Sequence, residues 1–425
     1  MYDLVRELYP ICRSITGNGV RQTLQLIGRA LGPEAPLQIS EVPTGTEVLD
    51  WTVPKEWNIK GGWIQKLSGE RVIDFERNNL HVLNYSTPVR QRIGRAELEP
   101  YLHSLPDHPD WVPYRTSYYA ERWGFCLSQR QRESLTDAEY DICIDSTLEP
   151  GHLTYGECVV PGQTTDEILL TAHVCHPSLC NDNLSGISVA TFLLKELLAA
   201  SRQARPRYTV RVLFIPGTIG SISWLARNHE RVARIKHGLS LVCLGDPNPY
   251  CYKRTLHGQR DIDRVMSHVL SSSSKPHEVI DYFPYGYDER QFNSPGFGLP
   301  FGSFMRGQHG KFPEYHTSAD NLSFISGQRL EESLELCLSA VNMLHDNRRF
   351  RNLRPYGEPQ LGKRGVYKAL GGAHIADTQL ALFWVLALSD EQHDLLSIAE
   401  RAKLPFHIVR DAALLLERQE LLREV

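Results

Sequence analysis

The middle of the chain carries side chains with metal-binding chemistry. His173 directly follows the apolar run Leu169–Ala172, and a polar loop then leads to Asp182, just before Ser185-Gly186. An apolar run ending in a histidine predicts a buried strand whose carboxyl end presents an imidazole, at the edge where functional side chains collect in open α/β sheets. Imidazole nitrogen and carboxylate oxygen are both zinc ligands, so this spacing favours a metallohydrolase.

Two later positions extend the candidate ligand set. Asp246 follows the apolar run Leu239–Leu244 and one glycine, and His316 stands in the polar loop Pro313–Asn321. Two histidines and two carboxylates suit zinc, and a carboxylate such as Asp182 can bridge two ions. Taken singly, a strand-end histidine can be structural and Asp246 can be a turn residue. It is the joint order of the four that indicates a metal site.

Composition excludes several function classes. The chain has 425 residues, 41% hydrophobic and 23% charged, with a formal charge of −4, which gives no global reason to expect nucleic acid or an anionic membrane as partner. The amino terminus is charged and no long uncharged apolar segment follows, so we expect a cytoplasmic protein with no membrane contact. Nine scattered cysteines predict reduced thiols. Walker, nucleophile-elbow and dinucleotide-binding motifs are absent from the sequence.

The residue pattern changes along the chain and predicts three parts. Strand candidates alternate with helical patterns, which predicts an open α/β sheet with helices on both faces, formed by residues 1–40 and 120–345. Short β-rich runs between Gly, Pro and Asn predict a small inserted domain at 41–119. A basic stretch, 348–368, is interpreted as a linker, and residues 350–425 are expected to form a winged-helix-like domain.

The carboxyl-terminal part has helix–turn–helix periodicity, with helices predicted near 377–388, 390–402 and 406–418. Residues 373–425 nevertheless contain nine acidic and five Lys or Arg side chains, a balance of −4. Such a surface repels phosphates, so nucleic acid is not the expected partner. We expect packing, homo-oligomer formation or recognition of a protein partner instead.

The motifs of the chain and their order resemble those of a known family. The order His, Asp before Ser-Gly, Asp and final His-Thr is similar to the co-catalytic zinc aminopeptidases of the leucyl aminopeptidase type. More closely, the chain resembles a bacterial family of aminopeptidase-like proteins that have an inserted small domain and a carboxyl-terminal winged helix. The motifs that carry this resemblance are His173–Pro177, Asn181–Gly186, Asp288–Phe292 and Glu314–Ser318. The resemblance spans nearly the whole chain and implies a zinc site from His173, Asp182 and His316, with Asp246 as a further ligand.

One departure from the aminopeptidases concerns the mechanism. Gly217 stands where those enzymes place the glutamate that activates the metal-bound water, and Thr218 stands where they place a second glutamate ligand. A glycine cannot accept a proton, and the loss of a positioned general base typically removes about 10²–10⁴ in rate. Losing a carboxylate ligand also weakens a second metal position. We therefore expect one zinc ion rather than two.

Other side chains could serve in catalysis or substrate binding. Glu289 and Glu314 are the candidate proton acceptors, although each could equally form a salt bridge or a framework hydrogen bond. Arg290 and Arg306 could bind a substrate carboxylate through the guanidinium fork, and Asp288 could hold a substrate amine or orient a ligand. In the sequence, His176 and His309 are interpreted as supporting or surface residues.

Two functions remain open. The first is a zinc-dependent aminopeptidase-like amide hydrolase that acts on small peptides or amino-acid conjugates. The alternative, which Gly217 motivates, is a metal-binding protein of the same fold without peptidase turnover. Such a protein would serve as a binding module or in other acyl chemistry of a biosynthetic pathway.

Overall fold

The computed structural model describes residues 1–366 and 376–425 of the chain. They form two compact units, one of residues 1–270 and 275–337 and the other of residues 271–274 and 338–425. The helices of the described residues are α1 Tyr2–Leu8, α2 Asn18–Leu31, α3 Arg95–Leu98, α4 Gln129–Glu133, α5 Gly186–Ser201, α6 Ile219–Arg227, α7 Asp261–Ser272, α8 Glu289–Phe292, α9 Gly327–Asp346, α10 Asp377–Leu388, α11 Leu395–Ala402 and α12 Phe406–Arg418.

The strands fall into one large sheet and four smaller ones. In chain order they are β1 Gln38–Pro43, β2 Glu47–Val48, β3 Trp51–Thr52, β4 Glu56–Lys66, β5 Arg71–Asp74, β6 Val89–Gly94, β7 Leu102–His103, β8 Phe125–Cys126, β9 Glu139–Glu149, β10 His152–Val160, β11 Glu167–His173, β12 Thr209–Ile215, β13 Ile235–Leu241, β14 Tyr250–Lys253, β15 His277–Ile280, β16 Phe301–Met305, β17 Arg349–Asn352, β18 Asp390–Asp394 and β19 Leu422–Glu424.

The large sheet is mixed and has the strand order β1-β10-β12-β11-β13-β16-β14-β15. Its centre is parallel, because β11 runs parallel to both β12 and β13, and β13 runs parallel to β16. Every residue of β11 is buried, as expected for a continuous apolar strand inside an α/β core. The carboxyl ends of these four strands therefore meet at one edge. This confirms the α/β class with an open mixed sheet.

Helix α5 is the most apolar long helix of the first unit. The stretch Cys180–Ser201, which includes it, is long and apolar enough by composition to cross a membrane, and it is the one such helix among the described residues. However, 61% of its apolar window is buried inside the protein. Residues such as Ile187, Leu193 and Leu194 are fully covered, which is typical of the core helix of an α/β domain.

A four-stranded antiparallel sheet, in the order β5-β4-β9-β6, accompanies the insertion. Strand β9 pairs along the whole of β4, from Glu56 opposite Glu149 to Lys66 opposite Tyr140. The small sheet thus reaches beyond residue 119, where the sequence placed the end of the insertion. Strand β9 of the small sheet leads directly into β10 of the large sheet. The residue pattern near 139–149 therefore does not show where the insertion ends.

The second unit contains the sheet β18-β17-β19 together with α10, α11 and α12. The linker interpretation is wrong for Arg349–Asn352, which form the central strand of this sheet, and Arg348 and Arg351 form ion pairs with Glu424 and Glu391. The predicted helix at 390–402 starts only at Leu395. Asp394 caps it by accepting a hydrogen bond from the Ser397 amide at 2.7 Å. Lys368 lies outside the described residues.

Candidate metal centre

Asp182 is the centre of a buried cluster of imidazoles. Its Oδ1 lies 2.8 Å from Nε2 of His173, and its Oδ2 lies 3.0 Å from Nε2 of His316. Nδ1 of His176 lies 3.4 Å from the same Oδ2. The fold thus brings together His173, Asp182 and His316, which are far apart in sequence, and adds His176.

The turn that carries Asp182 is hydrogen-bonded to a second aspartate. Both carboxylate oxygens of Asp320 accept backbone hydrogen bonds, from the amide of Asn181 at 2.6 Å and from that of Asp182 at 2.9 Å. The Asn181 side-chain oxygen accepts a hydrogen bond from the amide of Gly245, four residues beyond the end of β13. This framework fixes the turn against the sheet edge, so the position of the Asp182 carboxylate is set before any ligand arrives.

The electrostatics of the cluster suit a cation. Burial alone would raise the pKa of Asp182, but the imidazoles of His176, His173 and His316 hold it well below its usual range. Burial lowers the pKa of His173 to about 4, against the attraction of Asp182, and lowers the pKa of His316 as well. The imidazoles of His173 and His316 are therefore neutral near pH 7, which is the form that coordinates metals. Against the effect of burial, Cys175 and Asp182 raise the pKa of His176 well above its usual value, so this imidazole must lose a proton when it binds a metal.

The donor set fits zinc. Ligand atoms of His173, His176 and Asp182 all lie within 4.8 Å of one another, and His316 contacts the same carboxylate. Imidazole nitrogens and a carboxylate oxygen are the usual donors of a hydrolytic zinc site. These residues could hold one divalent cation on Asp182.

Gly217 leaves the space that Tyr287 occupies. A Cβ atom at position 217 would lie 1.9 Å from Cε1 of Tyr287. The Tyr287 ring also packs on His173 with ring centroids 4.4 Å apart, and its hydroxyl donates to the Gly217 carbonyl at 3.2 Å. The same hydroxyl lies 3.4 Å from Nε2 of His176. A tyrosine ring therefore fills the space at position 217, where the resemblance noted in the sequence leads one to expect a glutamate side chain.

Asp246 lies beside the cluster rather than in it. Its carboxylate accepts hydrogen bonds from the Asn181 side chain at 2.7 Å and from the amides of Asn248 at 2.8 Å and Gly307 at 3.1 Å. These three bonds give Asp246 a framework role. It braces Asn181, next to Asp182, and this geometry does not support the predicted role as a ligand.

The two predicted proton acceptors differ in their surroundings. Glu289 is buried, forms an ion pair with Lys253 at 2.5 Å and accepts a hydrogen bond from the Tyr287 amide at 3.0 Å. Lys253 helps to hold the pKa of Glu289 below its usual range against the effect of burial, so its carboxylate is committed to this pair. Glu314 is half-buried on the His316 loop.

The three predicted substrate-binding residues are not gathered at one place. Arg306 is buried and donates to the Tyr250 hydroxyl at 2.8 Å, over whose ring it also lies, while Arg290 is exposed. Asp288 is buried, accepts a hydrogen bond from Ser221 at 2.8 Å, and its other oxygen has no hydrogen-bond partner within the described part of the chain. Burial raises its pKa to about 7.

Sequence reasoning underrated or missed three residues of the site. His176 was interpreted as a supporting or surface residue, yet its ring nitrogen is among the ligand atoms around Asp182. Tyr287 and Tyr114 were not singled out, although both rings contact site histidines. The cluster His-x-x-His at 173–176 was the available signal for His176; the two tyrosines carried none.

Two family models match the two parts of the chain. Residues 2–347 match a family described as a domain of unknown function, DUF4910, and residues 348–424 match a winged helix-turn-helix family. A protein of Clostridium acetobutylicum is 48% identical over all of this chain and 96% of its own length. Its name, given provisionally, is polysaccharide biosynthesis protein with aminopeptidase-like domain.

Solved structures show the same resemblance as the sequence relatives. A crystal structure from Clostridium acetobutylicum, provisionally named a peptidase, superposes with a TM-score of 0.93 at 47% identity and covers 100% of this chain and 96% of that one. A zinc aminopeptidase from Bacillus subtilis has a TM-score of 0.58 at 13% identity, over 81% of this chain and 94% of that one. The second likeness concerns the fold alone. The resemblance found in the sequence, including the winged helix, is confirmed.

Proposed function

The chain belongs to the family of the DUF4910 domain, and from that premise we propose that it is a zinc-dependent amide hydrolase acting on small peptides or amino-acid conjugates. The observation that carries the proposal is the set of imidazoles around the buried Asp182 carboxylate, at the carboxyl edge of the sheet. An aminopeptidase-like fold is also what the Bacillus subtilis neighbour shares. We place the protein in the cytoplasm on the sequence expectation alone.

His173, His176, Asp182 and His316 would hold the zinc ion. When bound, zinc polarises a substrate carbonyl and lowers the pKa of a coordinated water toward about 7. The protein must then supply a proton acceptor that Gly217 cannot be. Among the acidic side chains, Glu289 is committed to Lys253, which leaves Asp288 and Glu314.

Asp288 suits this task best. Its pKa of about 7 is near the working pH, where a proton acceptor is most effective. It is joined to the segment after β12 through Ser221, whose hydroxyl contacts both Asp288 and the Thr218 carbonyl. We propose Asp288 as the group that takes and returns the proton, with Glu314 as the less suited candidate.

The choice of amides for the test draws on the name of one relative. The name of the Clostridium relative couples an aminopeptidase-like domain with polysaccharide biosynthesis. Amides between an amino acid and an amino sugar combine both chemistries, so they belong in the substrate panel with dipeptides and aminoacyl amides.

The proposal is tested by release of free amine. Zinc-loaded protein is incubated with the panel, and Asp182→Asn, which loses the central carboxylate, serves as the inactive control. We expect release by the wild type and none by the control. Asp288→Asn should lower the rate of amine release by about 10²–10⁴, and Glu314→Gln should lower it by much less. No release from any member of the panel would contradict the proposal.

The packing of Tyr287 on Gly217 favours one alternative, a binding module without turnover. In that case panel compounds would bind to the zinc-loaded protein, as measured by calorimetry, and would be recovered intact. For the second unit we propose contact with a protein partner or a second copy of the chain rather than with nucleic acid, because residues 373–425, which include helices α10, α11 and α12, carry nine acidic side chains against five Lys or Arg.

A further inference from the structure

We propose that the segment Val112–Tyr114, at the end of the β-rich insertion, positions the imidazoles of the metal centre, and that the ring of Tyr114 sets the affinity of this centre for zinc. The inference rests on the proposed zinc site. It gives the insertion a role that neither the family description nor the aminopeptidase fold assigns to it.

The segment is bonded to the loop that carries His316. The Tyr114 amide donates to the His316 carbonyl at 2.7 Å, and the Ser318 amide donates to the Val112 carbonyl at 2.8 Å. The Val112 amide in turn donates to the Ser318 hydroxyl at 2.9 Å. Pro113 and Thr317 face each other as an antiparallel bridge. The backbone on both sides of His316 is therefore fixed by residues about 200 positions earlier in the chain.

His316 needs such support. Its φ of +57° lies in the left-handed region, which costs a residue with a side chain about 1–2 kcal/mol. A conformation of this kind persists only where the surroundings impose it. The bonds from Val112 and Tyr114 are among the contacts that do so, together with the Thr317 amide bond to the Glu314 carbonyl, and they tie the direction of the imidazole to the insertion.

The Tyr114 ring also touches two site histidines directly. It meets His176 edge-on at a centroid distance of 5.1 Å and His316 edge-on at 5.0 Å. Tyr315 stacks on His316 at 4.0 Å. Packing of this kind limits the rotation of both imidazoles while their nitrogens face Asp182.

Tyr114 is itself anchored to the small sheet through aromatic contacts. Its hydroxyl lies 2.8 Å from that of Tyr118, and the Tyr118 ring meets Tyr85 edge-on at 5.8 Å. Tyr85 lies 6.4 Å from Trp57, which belongs to β4. A continuous row of rings thus connects the insertion to the metal centre.

The test measures the zinc dissociation constant of the full-length protein by competition with a chelator. Tyr114→Ala should raise this constant about 10–100-fold, the usual effect of removing a residue that orients metal ligands. Tyr114→Phe keeps the ring and should stay within about threefold of the wild type, since the ring makes the histidine contacts. Tyr119→Ala is the matched control, because Tyr119 lies five positions after Tyr114, outside the segment, and is 50% exposed.

The outcomes separate the inference from the proposed function. A folded Tyr114→Ala protein with the wild-type constant would overturn the inference and leave the zinc site standing. Equal losses in Tyr114→Phe and Tyr114→Ala would also overturn it, because the hydroxyl rather than the ring would then matter. Should Tyr114→Ala not fold, Ser318→Ala, which removes one bond to Val112, must weaken zinc binding; an unchanged constant would count against the inference. A wild type without zinc affinity would refute both.

Discussion

At the scale of single residues, the geometry of the site depends on which side chains pack against each other. Gly217 and Tyr287 are 70 positions apart, and neither is informative until the other is placed beside it. The sequence could show that the glutamate of the aminopeptidases is missing. It could not show that a ring occupies its place, because that depends on how the chain folds back on itself.

The first prediction concerns Gly217→Glu. The new side chain would meet the Tyr287 ring, which His173 supports from the other side, so we expect a loss of about 1–3 kcal/mol in the free energy of unfolding and no gain in amide hydrolysis. Urea denaturation measures the first and amine release the second. Gly296→Glu, at an open and exposed position, should change stability by less than about 0.5 kcal/mol. Equal stability of the two variants would contradict the packing described here.

A second residue-scale prediction follows from Asp288. Burial raises its pKa from 3.8 to about 7, so between these values the folded protein keeps a proton that the unfolded chain has lost. The free energy of unfolding should therefore fall as the pH rises from about 4 to about 7 and then level off. Urea denaturation at pH 5 and pH 8 should show a larger fall for the wild type than for Asp288→Asn. Equal falls would show that the Asp288 pKa is not raised.

At the scale of elements, three neighbouring strands share a buried charge network. Arg211 of β12 contacts Glu167 of β11 at 2.7 Å and Glu157 of β10 at 3.1 Å. All three side chains are at least 86% buried. These charges brace the strands whose carboxyl ends carry the metal centre, and the apolar runs around them gave no sign of the pairing.

Removal of the Arg211 side chain should destabilise the protein. Arg211→Ala leaves two buried carboxylates unpaired, so we expect a loss of about 3–5 kcal/mol in the free energy of unfolding. Arg92→Ala, which removes a more exposed pair with Asp141, should cost less than about 1 kcal/mol. Urea denaturation of both variants measures the difference. Similar losses would mean that the Arg211 network is not the stabilising contact it is taken to be.

The elements also show what a sequence can predict. The strands that end in His173 and near Gly217 were predictable, because continuous apolar runs report burial locally. Strand β9 and the strand Arg349–Asn352 were not, because their pairing partners lie 39 to 93 positions away and the residues themselves are mixed in polarity. Likewise, His176 became a candidate ligand only when the fold placed it beside Asp182.

At the scale of the whole molecule, the two units differ in what they offer to partners. The first unit contains the candidate metal centre, and the second has the winged-helix architecture that often binds DNA. Residues 373–425, however, carry nine acidic side chains against five basic ones, a net charge of −4. Residues 348–372 of the same unit add seven Lys or Arg and one Glu, so it is the part with helices α10, α11 and α12 that opposes binding to a polyanion.

We therefore predict that the full-length protein does not bind duplex DNA. Fluorescence anisotropy of a labelled duplex of about 20 base pairs should stay flat on titration with protein at about 50 mM salt, where phosphate contacts are strongest. A saturable rise that disappears at higher salt would contradict this prediction and make the second unit a DNA-binding module.

Anomalous diffraction at the zinc edge, from crystals of the zinc-loaded protein, tests whether one zinc ion binds at Asp182. We expect one peak per chain, about 2.0–2.2 Å from an Asp182 oxygen and from imidazole nitrogens of His173, His176 and His316. No peak at Asp182, or a peak held by other residues, would contradict this expectation.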